Sequence, residues 1–370
     1  MDTKIEEVDS KEDVFEFSKG QQEAIDGLVD WTGDDEHEDR VMTLGGDAGT
    51  GKTTVIRELV NRLGYVSVAA FTGKAASVLR NKGVHATTIH SLIYRYDSYR
   101  EEFVLRGSIE PEPNLIIIDE GSMVNMDLFR DLVSFGYKLL FVGDPKQLEP
   151  IGDNPNLMKE LDFTLDEIHR QAAESPIIQF SQVAAQGLPF QTGSIGDELN
   201  ICPAAKFTPE AVLEHDHTIC GFNKTRTNMN TAVRHLLNRT KTVELGEKMI
   251  CLQNNHNQGV FNGMMATVIA ILDETATYIK AEVEDEIGTR IVVKMLKAQI
   301  GAPQKVNARQ KNYGELTLWD YGYVTTCHKS QGSEWDKVLV YEELWDVWDP
   351  RRWRYTAITR AANQLTYCVP

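Results

Sequence analysis

The run Gly46-Asp47-Ala48-Gly49-Thr50-Gly51-Lys52-Thr53 spells G-x-x-x-x-G-K-T. It stands between a short apolar stretch, Val41–Leu44, and a stretch with helical spacing, Val55–Leu63. Glycines in such a loop let backbone N–H groups curl around phosphate oxygens, and the helix that follows turns its positive end toward them. Lys52 would reach the outer phosphates, and the Thr53 hydroxyl would ligate Mg2+. Two adjacent acids, Asp119 and Glu120, close a second apolar run, Leu115–Ile118. Asp119 suits the Mg2+ shell, and Glu120 suits orienting or deprotonating an attacking water. The plainer alternative is a pair of strand-end carboxylates capping the next helix. Beside a phosphate loop, the pair points to hydrolysis, since simple transfer to a hydroxyl has no use for a water-polarising Glu. Gln147, in the run Phe141–Leu148, falls beside the same pocket and suits sensing a γ-phosphate.

The elements that must hold these residues are legible in outline. Val41–Leu44, Val66–Ala70, Leu115–Ile118 and Leu139–Val142 are continuous β-rich apolar runs separated by helical stretches, the pattern of a parallel sheet covered on both faces. Residues 1–16 read as an acidic tail, and 17–91 with 113–162 as the first α/β domain. Aromatic and polar residues around a turn, closed by Pro111 and Pro113, predict a β-hairpin insertion at 92–112. A second α/β domain is expected over 163–245 and 319–370. Between them, at 246–318, short strands, the Asn262-Gly263 and Ile287-Gly288 turns and acidic loops predict a small β-barrel.

Composition is consistent with two ordinary cores: 370 residues, 42% of them hydrophobic. No apolar run approaches the ~18 residues of a membrane helix, and the acidic N-terminus lacks the features of a secretory signal, so a cytosolic protein without a membrane partner is expected. Five singly spaced cysteines offer no zinc or redox pair. The net charge of −17 argues at face value against a phosphate-rich partner. However, the acids cluster in the tail, in 34–39 and in 282–286, which leaves room for a groove of another character elsewhere.

The order of motifs resembles superfamily 1 helicases, specifically the RecD/Dda-like 5′→3′ branch, from Phe17 to Ala361. The resemblance implies two RecA-like parallel-sheet domains, with a β-hairpin pin inserted in the first and an SH3-like β-barrel inserted in the second. Phe17–Ala24 looks like the glutamine motif, implying Gln21 as the adenine contact. Leu165–Gln171 looks like the segment whose arginine, here Arg170, enters the nucleotide site. Val324–Glu334 resembles T-x-H-K-S-Q-G-x-E and brings Gly332 and Glu334 to that site, and Tyr355–Ala361 supplies the second arginine, Arg360. The nucleotide contacts implied are therefore Gln21, Gly46, Ala48, Gly49, Thr50, Gly51, Lys52, Thr53, Thr54, Gly332 and Glu334, with Thr53 and Asp119 on the metal. Lys52, Glu120, Gln147, Arg170 and Arg360 carry the hydrolysis of ATP.

Thr72, Lys74, Thr88, His90, Asn223, Lys224, Thr326, His328, Lys329 and Ser330 are the implied strand contacts. Their types suit sugar and phosphate, so binding should ignore base sequence. Tyr96, Tyr99 and Phe103 on the hairpin would stack on the end of a duplex, or simply pack the hairpin on its domain. Gly121, Glu149 and Phe71 depart from the usual motif residues without touching the hydrolytic set. The implied partners are single-stranded DNA and its junctions with duplex, with a single-strand-binding or replisome protein as a further one. A monomer is expected, since one chain supplies both walls of the site. The short insertions resemble a phage-type helicase, and an RNA helicase or a strand-stimulated translocase are the competing readings.

Overall fold

The computed structural model describes residues 16–97, 102–149, 153–168, 173–253, 255, 258–286, 288–306 and 316–370. The first half is built on β1 (Val41–Gly46), β2 (Val66–Ala70), β3 (Ala86–Thr88), a hairpin of β4 (Tyr94–Asp97) and β5 (Glu102–Leu105), then β6 (Leu115–Asp119), β7 (Leu139–Gly143) and β8 (Phe163–Leu165). The hairpin stands apart, and the other six strands form one parallel sheet in the order β3-β2-β6-β7-β1-β8. Its central strands are apolar throughout because both faces are covered: Leu115–Ile118 and Leu139–Val142 are fully buried. Ile25, Leu28, Ile56 and Leu59 fill one face, and Ile89, Ile93, Leu128 and Leu132 the other.

The second half begins with β9 (Gly193–Ile195), β10 (Leu199–Pro203) and β11 (His217–Cys220). An excursion through β12 (Lys248–Cys251), β13 (Met265–Glu274), β14 (Tyr278–Asp285), β15 (Arg290–Leu296) and β16 (Trp319–Tyr321) follows. The chain then returns through β17 (Val324–Thr326), β18 (Trp335–Tyr341) and β19 (Ala361–Val369). The order β17-β11-β18-β19-β10-β9 is parallel except for the antiparallel edge strand β9. The excursion is an antiparallel sheet, β15-β14-β13-β12-β16, that shares a core with this second sheet through Val268, Ala281, Trp319, Cys220 and Leu339. Trp319–Tyr321, assigned from sequence to the second parallel sheet, instead pairs with β12. Fully buried Trp319, with its indole N–H donated to Thr317, is core of the excursion.

The hairpin pairs Tyr96 with Phe103 across its strands, and Tyr99 lies outside the described residues. Among the described residues no helix is long and apolar enough to cross a membrane.

Candidate nucleotide cleft and strand interface

The loop after β1 turns through Gly49 at φ +84° and Gly51 at φ +82°, a left-handed conformation that costs glycine nothing. Helix Lys52–Leu63 starts from that second glycine. At the end of β6, Glu120 adopts φ +55°, uncommon for a residue with a side chain, which sets its carboxyl beside that of Asp119. These residues line a cleft of about 510 Å3 between the two parallel sheets. Ala48, Gly49, Gly51, Lys52, Thr53, Thr54, Asp119, Glu120 and Gln147 face it from the first sheet, and Gly332, Glu334 and Arg360 from the second.

The electrostatics follow from burial. Three carboxyl groups, of Asp119, Glu120 and Asp144, meet the ammonium of Lys52. Lys52 Nζ donates to the carbonyls of Gly46 at 2.7 Å and Asp47 at 2.9 Å. Burial raises the Asp119 carboxyl despite the pull of Lys52. Burial and then the charge of Asp119 push Glu120 up to about 7, against the opposing pull of Arg360 and Lys52. A carboxyl poised there can accept a proton near neutral pH, as a general base must. Arg360 is almost fully buried, its guanidinium held by Thr356 O at 3.0 Å, Ser333 O at 3.1 Å and Thr359 Oγ1 at 3.1 Å. Gln147 is also buried, and its Oε1 has no partner among the described residues. Hard oxygens at Thr53 and Asp119 on one wall fit a Mg2+ ion that keeps most of its ligands from phosphate and water.

Three of the expected nucleotide contacts, Gln21, Gly46 and Thr50, are not among the residues that line this cleft. Gln21 does not line it: fully buried, it accepts from Ser18 N and donates to Thr50 O at 3.0 Å, so it caps its own helix and props the loop from behind. Gly46 and Thr50 are also off the surface. A Cβ on Gly46 would lie 2.5 Å from Thr50 Oγ1, and that hydroxyl is bonded back to Asp47 O at 2.9 Å. Arg170 lies outside the described residues. Conversely, Arg57, Lys82, Asp144 and Thr359 line the cleft although no motif reading points to them. Asp144 was within reach of sequence reasoning, three residues before Gln147.

The strand-contact candidates divide by burial. The hydroxyls of Thr72 and Thr88 are spent as helix N-caps, accepting from Ala75 N and Ser91 N at 3.1 Å each. Ser330 is fully buried and donates to Cys327 O, and Thr326 is buried at the start of the same short turn. The hydroxyls of Thr72, Thr88 and Ser330 thus hold local turns. Asn223 and Lys224 are exposed at the start of helix Asn223–Leu236. His328 packs on Trp348 with ring centroids 5.3 Å apart, and His90 on Tyr94 at 5.5 Å. Lys74 pairs with Glu286 at 2.5 Å, and Lys329 donates to Asn262 at 3.2 Å, so both lysines meet side chains of the antiparallel excursion.

Two mostly parallel sheets, one carrying a phosphate loop and the other an arginine aimed into the shared cleft, make this a P-loop protein with a RecA-like core. The family described as AAA domain matches residues 16–193, and that described as UvrD-like helicase C-terminal domain matches residues 321–367. The ATP-dependent RecD2 DNA helicase of Deinococcus radiodurans is 31% identical over 363 residues, covering 88% of this chain and 46% of that protein. The ATP-dependent DNA helicase Dda of Enterobacteria phage T4 is 30% identical over 154 residues, covering 38% of this chain and 34% of its own. This chain thus spans less than half the length of either relative. A solved Pif1 helicase, from work on DNA unwinding at forked duplex, shares the fold with a TM-score of 0.57 at 18% identity, over 96% of this chain and 95% of its own. Along most of its length the chain is thus similar to superfamily 1B helicases.

Proposed function

We propose that this protein hydrolyses ATP with Mg2+, and uses the cycle to move 5′→3′ along single-stranded DNA and to open duplex at its junctions. The observation that carries the reading is the split composition of the cleft: Lys52, Thr53, Asp119 and Glu120 come from one sheet and Arg360 from the other. Phosphoryl transfer builds charge on the γ-oxygens, and an arginine supplied there raises the rate on the order of 10³–10⁵-fold. Because the arginine arrives from the second sheet, hydrolysis is fast only with the cleft closed, and loss of the γ-phosphate releases the closure. Mg2+ held by Thr53 and Asp119 would neutralise phosphate charge. Glu120 would take the proton of the attacking water, with Gln147 beside the γ-phosphate and Arg170 as a second arginine.

In this reading 17–91 with 113–162 and 163–245 with 322–370 are the two motor domains, and 92–112 is a pin. The antiparallel excursion is an SH3-like insertion lying over the strand. Lys74, His90, Asn223, Lys224, His328 and Lys329 would meet the strand's backbone, and one chain working as a monomer in the cytoplasm suffices. The polarity rests on kinship with the RecD2 and Dda branch.

The test is unwinding of two partial duplexes, one with a 5′ and one with a 3′ single-stranded tail, by the wild type and Lys52→Ala. Opening of the 5′-tailed substrate alone, lost in the variant, is expected. If neither duplex opens while single-stranded DNA still stimulates hydrolysis, the protein is a translocase and the helicase reading fails.

A further inference from the structure

Helix Pro350–Ile358 of the second half carries Arg352, Tyr355 and Thr356 on one face, at the three- and four-residue spacing that aligns side chains along a helix. All three reach across the cleft to the first half. Arg352 Nη1 donates to Gln147 O at 2.9 Å, and Leu148 N donates to Thr356 Oγ1 at 2.9 Å. Tyr355 makes the most consequential contact. Its hydroxyl accepts from the backbone N–H of Ala48, in the phosphate loop, at 2.9 Å, and donates to Asp144 Oδ2 at 2.7 Å. Ala48 and Asp144 both line the nucleotide cleft, whereas Tyr355 is fully buried behind them. The neighbouring loop residue Asp47 is gripped as well, by Lys146 at 2.5 Å and by Gln182 of helix Pro176–Ala185 at 3.2 Å.

We propose that the Tyr355 hydroxyl is a positioning residue for hydrolysis, fixing the phosphate loop and Arg360 relative to each other through one two-way hydrogen bond. The inference rests on the ATPase reading above and deepens it. Tyr355 stands five residues before Arg360, and the main chain between them is bound in turn to Arg360, whose Nε donates to Thr356 O. A displacement of the helix therefore moves the hydroxyl and the guanidinium together. The bond also satisfies two groups that water cannot easily reach once the cleft shuts: a loop amide, and a carboxylate whose protonation burial already favours. A phenol serves both at once because it donates and accepts through one atom. Burial and the adjacent Asp144 charge raise the Tyr355 phenol well above its ordinary range, so it keeps its proton. Parting the two halves would separate Tyr355 from both partners, so the contact and the placement of Arg360 would be lost together.

The experiment is phosphate release at saturating single-stranded DNA by wild type, Tyr355→Phe, Arg360→Ala and the double variant, with melting temperatures for each. Phenylalanine keeps the ring and removes only the hydroxyl. The expected result is a kcat about tenfold lower in Y355F, a KM for ATP within about twofold of wild type, and no further loss when Y355F is added to R360A. A hydroxyl that merely stabilises the fold would lower the melting temperature without that split, and its effect would multiply with R360A. Either outcome overturns the assignment. If Y355F does not fold, Thr356→Val, which removes the neighbouring bond from Leu148 N and loosens the same helix, takes its place. The assignment requires a lower kcat in T356V that adds no further loss to R360A, and a loss that multiplies with R360A refutes it. Absence of phosphate release from wild type sinks the ATPase reading and this assignment with it, whereas normal hydrolysis by an indifferent Y355F sinks the assignment alone.

Discussion

Replacing Glu120 by Gln should stop hydrolysis and, at the same time, make the nucleotide-free protein more stable in a pH-dependent way. Glu120 titrates at about 7 instead of 4.5, because burial and the adjacent Asp119 disfavour its charge. Moving a titration by one pH unit corresponds to about 1.4 kcal/mol, giving on the order of 3 kcal/mol, which screening of a partly exposed residue trims to about 2 kcal/mol. A carboxyl whose folded-state value is raised contributes stability that is fully present below about 4.5. That contribution is lost as pH rises through about 7. The amide of E120Q never acquires the charge, so the variant should match wild type near pH 5 and exceed it near pH 8. At roughly 2–4 °C per kcal/mol, the gain is about 4 °C or more. Thermal melts at the two pH values, paired with phosphate-release rates, make the measurement. A gain of equal size at both pH values, or hydrolysis at the wild-type rate in E120Q, would refute the assigned carboxyl environment or its role as base.

Two further perturbations probe the rest of the molecule. Glu286→Gln should release Lys74 from its 2.5 Å ion pair. Binding of a fluorescent oligothymidine, followed by anisotropy across a salt series, should then steepen by about 0.7 in log–log slope, because one more cation meets phosphate. Parallel wild-type and variant lines would mean that Lys74 does not meet the strand. Asp320→Ala should destabilise by about 3–5 kcal/mol, or roughly 10 °C in a thermal melt, since it leaves Arg226 buried without its 2.5 Å partner. A shift of under about 3 °C would show that water or another acceptor takes the carboxylate's place.

What is legible in the sequence is local. The phosphate loop, the Asp119-Glu120 pair and Gln147 each sit in a short run whose spacing alone fixes its chemistry, and all reach the one cleft. The parallel strands are readable because burial on both faces leaves no polar alternation, as in Leu115–Ile118. Residue types with two uses are harder to read. Thr72 and Thr88 suit a strand contact by type, yet threonine is equally a helix cap, and the helices at Gly73 and Ile89 need one. Ser18-x-x-Gln21 is itself a capping-box pattern, readable without coordinates. The seam formed by Arg352, Tyr355 and Thr356 is beyond sequence reasoning, since its partners lie more than 200 residues away. No periodicity records which carbonyl a distant helix meets.

The antiparallel excursion belongs mechanically to the second half, with which it shares its core, but it leans on the first half. A Cβ on Gly73 would sit 3.1 Å from that of Phe261, and Glu286 reaches Lys74 from the β14–β15 turn. A polymer lying between this excursion and the first half would be enclosed at its sides, like a cord beneath a strap. Raising the strap would be the same movement as parting the two walls of the nucleotide cleft. Loosening the hold on the track and exchanging spent nucleotide would then share one barrier, so that each renewal of fuel would be the moment at which the track can slide.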